Sequence, residues 1–153
     1  MEDLPQRKWP VHPPPVEHHD LPVIIFVTLC IKLRIATLDN PTFHQAFRQA
    51  GAEADLWRIG YYLIMPDHVH LFCGPAKFPT VDVKKWSTFL KKRITRHLGR
   101  QPWKWLNDCW DTQMRDMDHY VQKLEYTQLN PVRAGLVSTS EDWPYQGEIQ
   151  VLW

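Results

Sequence analysis

The sequence predicts an α+β fold of the ferredoxin-like kind, a split βαβ arrangement in which an antiparallel sheet is flanked by helices. Three observations predict it. Apolar runs and helical stripes alternate in the order strand, helix, strand, strand, helix, strand. Only Pro66 and Asp67 separate the second strand from the third, a link short enough to make them a hairpin beside the first. The first strand is apolar almost without interruption, as a central strand covered on both faces must be. A chain of 153 residues with 44% hydrophobic residues fits one domain with a real core, expected over 23–153.

Ahead of that domain, Pro5, Pro10, Pro13, Pro14, Pro15 and Pro22 remove backbone donors and bias residues 1–22 to an extended, proline-rich N-terminal arm. His12, His18 and His19 near Asp20 lie in this arm and read as a solvated tail, because a flexible segment has no preformed geometry for a metal. Residues 23–31 are β-branched and aromatic and form the first strand. Asn40 caps a helix that Pro41 opens, and Phe43, Phe47 and Ala50 keep helical spacing over 41–54. The hairpin strands are 56–65 and 68–73, and Gly74-Pro75 ends the second. A helix over 81–98 follows, with Val83, Trp86, Leu90 and Ile94 on one stripe and Lys84, Lys85, Lys91, Lys92, Arg93 and Arg96 around the rest. A loop carrying Trp103 and Trp105 leads to a short strand over 110–115, then to a helix over 116–130. In that helix Met117, Tyr120, Val121 and Leu124 form the apolar stripe. Asn130 precedes Pro131 and reads, on the helix alone, as its terminator. From Trp143 a tail is expected to fold back over the domain.

The formal charge of +1 gives no bulk electrostatic argument for a nucleic-acid partner, so any such argument must come from local clusters such as the basic helix. Cys30, Cys73 and Cys109 form no CxxC pair and read as thiols in a reducing compartment. The N-terminus lacks the basic-then-apolar pattern of a signal peptide, and no apolar run approaches bilayer-spanning length. The expectation is a soluble, cytoplasmic protein with no membrane partner.

Two features carry chemistry. His68 and His70 stand two apart in an extended strand, so their imidazoles share one face while Val69 and Leu71 point into a core. Side by side they form a divalent-metal site that lacks at least one ligand, or else a polar face of a half-buried sheet. Tyr126 lies off the apolar stripe of its helix and projects with Asn130, one turn later, and with His119 upstream. A large aromatic there has no packing reason visible in the sequence.

His68-Val69-His70 preceded by Met65-Pro66-Asp67, with Tyr126-Thr127-Gln128-Leu129-Asn130-Pro131-Val132-Arg133-Ala134-Gly135-Leu136-Val137 downstream, resembles the single-tyrosine HUH transposases, and within them the REP-associated tyrosine transposases. The resemblance spans about residues 23–145. It implies that His68, His70 and Asn130 ligate a divalent metal, Mg²⁺ or Mn²⁺, and that Tyr126 is the nucleophile. The implied enzyme is a transposase that cleaves single-stranded DNA at hairpin, REP-like sequences. It would transfer strands through a 5′-phosphotyrosine intermediate, as a monomer or homodimer. His119 is a candidate for proton transfer. The six basic residues of the helix over 81–98 are candidates for DNA-binding contacts, with Trp103 and Trp105 stacking bases. The proline-rich segment has no counterpart in the motif. Two rivals compete: a metal-dependent nuclease that activates water without a covalent intermediate, and a hairpin DNA- or RNA-binding module without catalysis.

Overall fold

A computed structural model describes residues 12–13, 15–16, 21–35, 37–78 and 80–152. Most of the expected arm, His18 and His19 included, lies outside the described residues. Five antiparallel strands form one sheet in the order β4-β1-β3-β2-β5: β1 is Ile25–Cys30, β2 Trp57–Met65, β3 His68–Pro75, β4 Trp110–Gln113 and β5 Gln146–Glu148. The first four are the strands expected from the sequence, in the spatial order of a split βαβ fold. No helix among the described residues is long and apolar enough to cross a membrane.

One face of the sheet is covered by α1, Pro41–Glu53, and α2, Val83–Leu98. The Asn40 side chain accepts from the Phe43 N–H at 2.8 Å and caps α1, with Pro41 at its first position. Val83, Trp86, Leu90 and Ile94 bury the predicted stripe of α2 against Val27, Leu29, Val69 and Leu71. The other face carries a smaller apolar cluster of Phe26, Leu63, Met65, Phe72 and Trp143, on which Tyr120 and Leu124 of α3, Met117–Gln128, pack. A register shift in β2 between Ile59 and Tyr62 inserts an extra residue, so Tyr62 and Ile64 face α1 whereas Leu63 and Met65 face α3. The bulge thus makes the floor beside the histidines apolar.

Several expectations need correction. Val121 is exposed. The row of α3 that looks toward the sheet is instead Tyr120, Lys123, Leu124 and Thr127, so polar residues share its sheetward row with Tyr120 and Leu124. Asn130 does not end the helix. It begins α4, Asn130–Arg133, because a proline at the second position gives up a donor that a first turn does not use. Helical structure stops instead at Gly135, whose φ of 73° is the left-handed region, with Leu136 N–H on the Pro131 carbonyl and Gly135 N–H on that of Val132. Trp103 and Trp105 are not stacking platforms: they meet edge to face at 5.1 Å and pack with Phe43 in the core. The tail folds back as expected, with the Trp143 indole donating to the Ile64 carbonyl at 3.0 Å, and adds β5 to the edge of β2.

Candidate active site

Strand register builds the site. β3 pairs with β1 so that His70 opposes Thr28 and His68 opposes Cys30, and with β2 so that the same histidines oppose Leu63 and Met65. Both imidazoles are fully buried on the face that α3 crosses. Their Nε2 atoms point at one another across 3.1 Å.

The outer nitrogens determine what those Nε2 atoms can do. His68 Nδ1 lies 2.7 Å from Asp67 Oδ1. A carboxylate only accepts, so Nδ1 carries the proton and the Nε2 of neutral His68 presents a lone pair. Burial works to raise the Asp67 carboxyl, but hydrogen bonds from His68 and from Arg34 Nε at 2.8 Å outweigh it and hold it at about 2. Asp67 is therefore charged whenever the protein is folded near neutral pH. His70 Nδ1 meets the Thr28 hydroxyl at 2.9 Å, a partner able to donate or accept. Burial first, and then nearby positive charge, that of His68 when protonated and of Lys123, Arg133 and Arg34, push His70 well below its ordinary value, so it stays neutral. With Thr28 accepting, both Nε2 lone pairs converge, an arrangement that repels itself unless a cation lies between them.

This donor set fits a divalent ion. Two nitrogens bound cis on an octahedral ion with bonds of about 2.1 Å stand about 3 Å apart, close to the observed separation. Asn130 is 3% exposed, and its Nδ2 has no hydrogen-bond partner among the described residues. It falls one helical repeat beyond Lys123 and three residues beyond Thr127, on the polar row that α3 and α4 present inward.

Tyr126 stands on the flank of that row and is 41% exposed. Contacts link it to the histidines: the Arg133 guanidinium lies 3.6 Å from its ring centroid, Lys123 Nζ 5.6 Å away, the same Nζ 4.7 Å above Phe26, and Phe26 stacks on His70 at 5.0 Å. The tyrosine and the histidine pair thus occupy one side of the sheet, with Lys123 and Phe26 between them.

The other predicted residues are not brought together with this cluster. The Nδ1 of His119 accepts from the Arg115 N–H at 3.0 Å, which holds the turn into α3, and seven residues of helix, about 10 Å, separate it from Tyr126. The basic residues of α2 lie on the opposite face of the sheet, because their stripe partners pack against Val69 and Leu71. Lys91 in particular is buried and donates to the carbonyls of Leu106 and Asp108, so it is no phosphate contact. Arg93 is drawn to Glu53. In their place stand three cations that sequence reading passed over: Arg34, Lys123 and Arg133. Arg34 sits in a left-handed backbone turn, φ 51°, that periodicity does not register, whereas Arg133 is signalled by its place seven residues after Tyr126. Thr28 becomes visible only once the register is known.

Asp67 orients a buried histidine through one hydrogen bond, and its loss has a defined cost. Asp67→Asn is expected to weaken Mn²⁺ affinity about 10–100-fold while leaving secondary structure intact, as checked by metal titration and circular dichroism.

No family model matches this sequence. A curated relative from Haemophilus influenzae, named for the REP-associated tyrosine transposases, is 30% identical over 96 residues, 54% of this chain and 53% of that protein. The REP-associated tyrosine transposase of Escherichia coli is 25% identical over 89 residues, 58% of this chain and 53% of that protein. The chain therefore spans about half the length of the curated relatives it matches. Among solved structures, a REP-associated tyrosine transposase bound to a REP hairpin superposes with a TM-score of 0.69 at 22% identity, covering 86% of this chain and 80% of that one. That likeness shows the fold, an antiparallel sheet with helices, and the named relatives bear out the family resemblance read from the sequence.

Proposed function

We propose that this chain, a relative of the REP-associated tyrosine transposases, cleaves and rejoins single-stranded DNA beside a hairpin, with Tyr126 as nucleophile. The observation that carries the reading is the pair of buried Nε2 atoms facing each other at 3.1 Å on the side of the sheet that also bears Tyr126. His68, His70 and Asn130 would hold a divalent ion, Mg²⁺ or Mn²⁺, which when bound supplies Lewis-acid polarisation of the scissile phosphate.

The chain's own residues do the rest. The Tyr126 oxygen attacks phosphorus, the bond to the 3′-oxygen breaks, the phenolic proton passes to solvent, and the leaving oxygen takes up a proton as a 3′-hydroxyl. The product is a 5′-phosphotyrosyl enzyme. One phosphoester replaces another, so a 3′-hydroxyl can reverse the step without a nucleotide cofactor. The guanidinium stacked on the phenol ring fixes its orientation, and with Lys123 and Arg34 it provides positive charge where the phosphate must come. Asp67 and Thr28 hold the imidazoles in their working orientation.

A water-activating nuclease uses the same imidazoles but has no part for Tyr126. A DNA hairpin with single-stranded flanks from the sequence around the protein's own coding region, labelled on the 5′-phosphate side of the cut, discriminates the two. A labelled protein adduct that survives denaturing electrophoresis is the expected result, and cut DNA with no adduct would transfer the site to hydrolysis.

The cations make a separate prediction. Arg133→Gln is expected to lower cleavage about tenfold and to reduce the salt dependence of DNA binding by about one phosphate contact, measured as the slope of log affinity against log salt.

A further inference from the structure

His12, set aside as part of a solvated tail, is held against the body of the protein. Its Nε2 lies 2.7 Å from Asp108 Oδ1, and its Nδ1 contacts Asp111 Oδ2. Four residues on, Val16 N–H donates to Gln113 Oε1 at 2.8 Å, and the Gln113 amide donates back to the Val16 carbonyl. His12 and Val16 are thereby held beside β4, an edge strand of the sheet. Asp111 opposes Val27, which places the contact on the α1 and α2 side of the sheet, across from His68 and His70.

A third group completes the cluster. One ligand atom each from His12, Cys109 and Asp111 lies within 4.8 Å of the other two. Cys109 is buried at the foot of β4 against Ser87 of α2, and Asp111 is 6% exposed. Two independent features mark this as more than a chance grouping. The Nε2 of His12 is hydrogen-bonded to the Asp108 carboxylate, the arrangement that orients a ligating imidazole, and its Nδ1, which faces Asp111 Oδ2, would give up its proton to solvent on binding an ion. Charge also favours a cation here: the three negative charges of a thiolate and two carboxylates offset a divalent ion and the Lys91 ammonium, bonded to the Asp108 carbonyl, and leave only half-exposed Lys84, its Nζ 3.7 Å from Asp108 Oδ2, in excess.

We propose that His12, Cys109 and Asp111 form a second, structural metal site for a thiolate-binding divalent ion of the zinc class, which clips the proline-rich segment onto β4. A sulfur, nitrogen and oxygen set selects a softer ion than the two imidazoles and amide across the sheet, and three protein ligands leave a fourth, tetrahedral position for water. On binding, the Cys109 S–H bond breaks, its proton goes to solvent and a sulfur–metal bond forms. Neither the site nor its role depends on the activity proposed above.

The test titrates Co²⁺ into the full chain carrying His68→Ala and His70→Ala, so that only the second site reports, and displaces it with Zn²⁺. One equivalent is expected to produce a thiolate-to-cobalt charge-transfer band in the near ultraviolet with the strong visible bands of tetrahedral cobalt. His12→Ala, a change at a partly exposed residue that leaves the core untouched, is expected to weaken the affinity at least tenfold. Cys109→Ser is expected to abolish the band although Cys30 and Cys73 remain. Absence of the band, or an affinity that His12→Ala does not alter, overturns the site and leaves His12 as an ion bridge between two carboxylates.

Discussion

Tyr126→Phe is expected to abolish the protein–DNA adduct and to lower strand cleavage at least about 10³-fold, the scale on which removal of a covalent nucleophile acts. The same change is expected to leave hairpin affinity within about twofold and stability within about 0.5 kcal/mol, because only one hydroxyl of a residue 41% exposed is deleted. The ring, and with it the stacking of Arg133 and the approach of Lys123, is retained, so the loss cannot be assigned to a displaced cation. Denaturing electrophoresis of the labelled junction, gel-shift titration and thermal melting measure the three quantities. Cleavage that persists at the parent rate would sink the nucleophile assignment, and the site would then be read as water-activating.

The sequence was informative where a periodic pattern meets a single requirement. β1 is buried on both faces and reads as continuous apolar residues, whereas α1 and α2 bury one stripe each and read at helical spacing. His68 and His70 followed directly from strand alternation, since a side-chain period of two puts them on one face. Periodicity failed where polar residues face inward. The row Lys123, Thr127 and Asn130 looks toward buried histidines, so a search for an apolar stripe chose Val121 and turned α3 partly away from its true orientation. Short elements were also hidden: β5 has three residues, and nothing in Gln146-Gly147-Glu148 marks a strand until β2 offers it a free edge. The bulge in β2 leaves no mark in composition, yet it decides which face Leu63 and Met65 take. The basic stripe of α2 was legible as charge but not as place. A helix carries its charges wherever its apolar side takes it, here to the face across from the histidines.

Removing both imidazoles tests the ion-binding half of the site by a readout independent of DNA. In the parent protein, Mn²⁺ at 100 times its dissociation constant is expected to stabilise the fold by about 2.7 kcal/mol. For a chain of this size that raises the melting temperature by about 5–10 °C. Chelation is expected to reverse the rise and to stop cleavage, and restored Mn²⁺ or Mg²⁺ to recover both. In His68→Ala with His70→Ala the metal-dependent increment is expected to vanish and cleavage to fall at least about 10²-fold, because Asn130 alone retains a single neutral oxygen donor. The ion-free variant is itself expected to melt lower. Each truncation opens a cavity in a fully buried position, and Thr28 loses its imidazole partner, whereas Asp67 keeps Arg34. The increment and not the absolute melting temperature is therefore the measure. Hard ions probe this pair without engaging a thiolate site on the far side of the sheet, since Mn²⁺ and Mg²⁺ are poor partners for sulfur. A double variant that still gains the full increment, or a parent protein that cleaves undiminished in chelator, would show that the converging Nε2 atoms share a proton and not an ion.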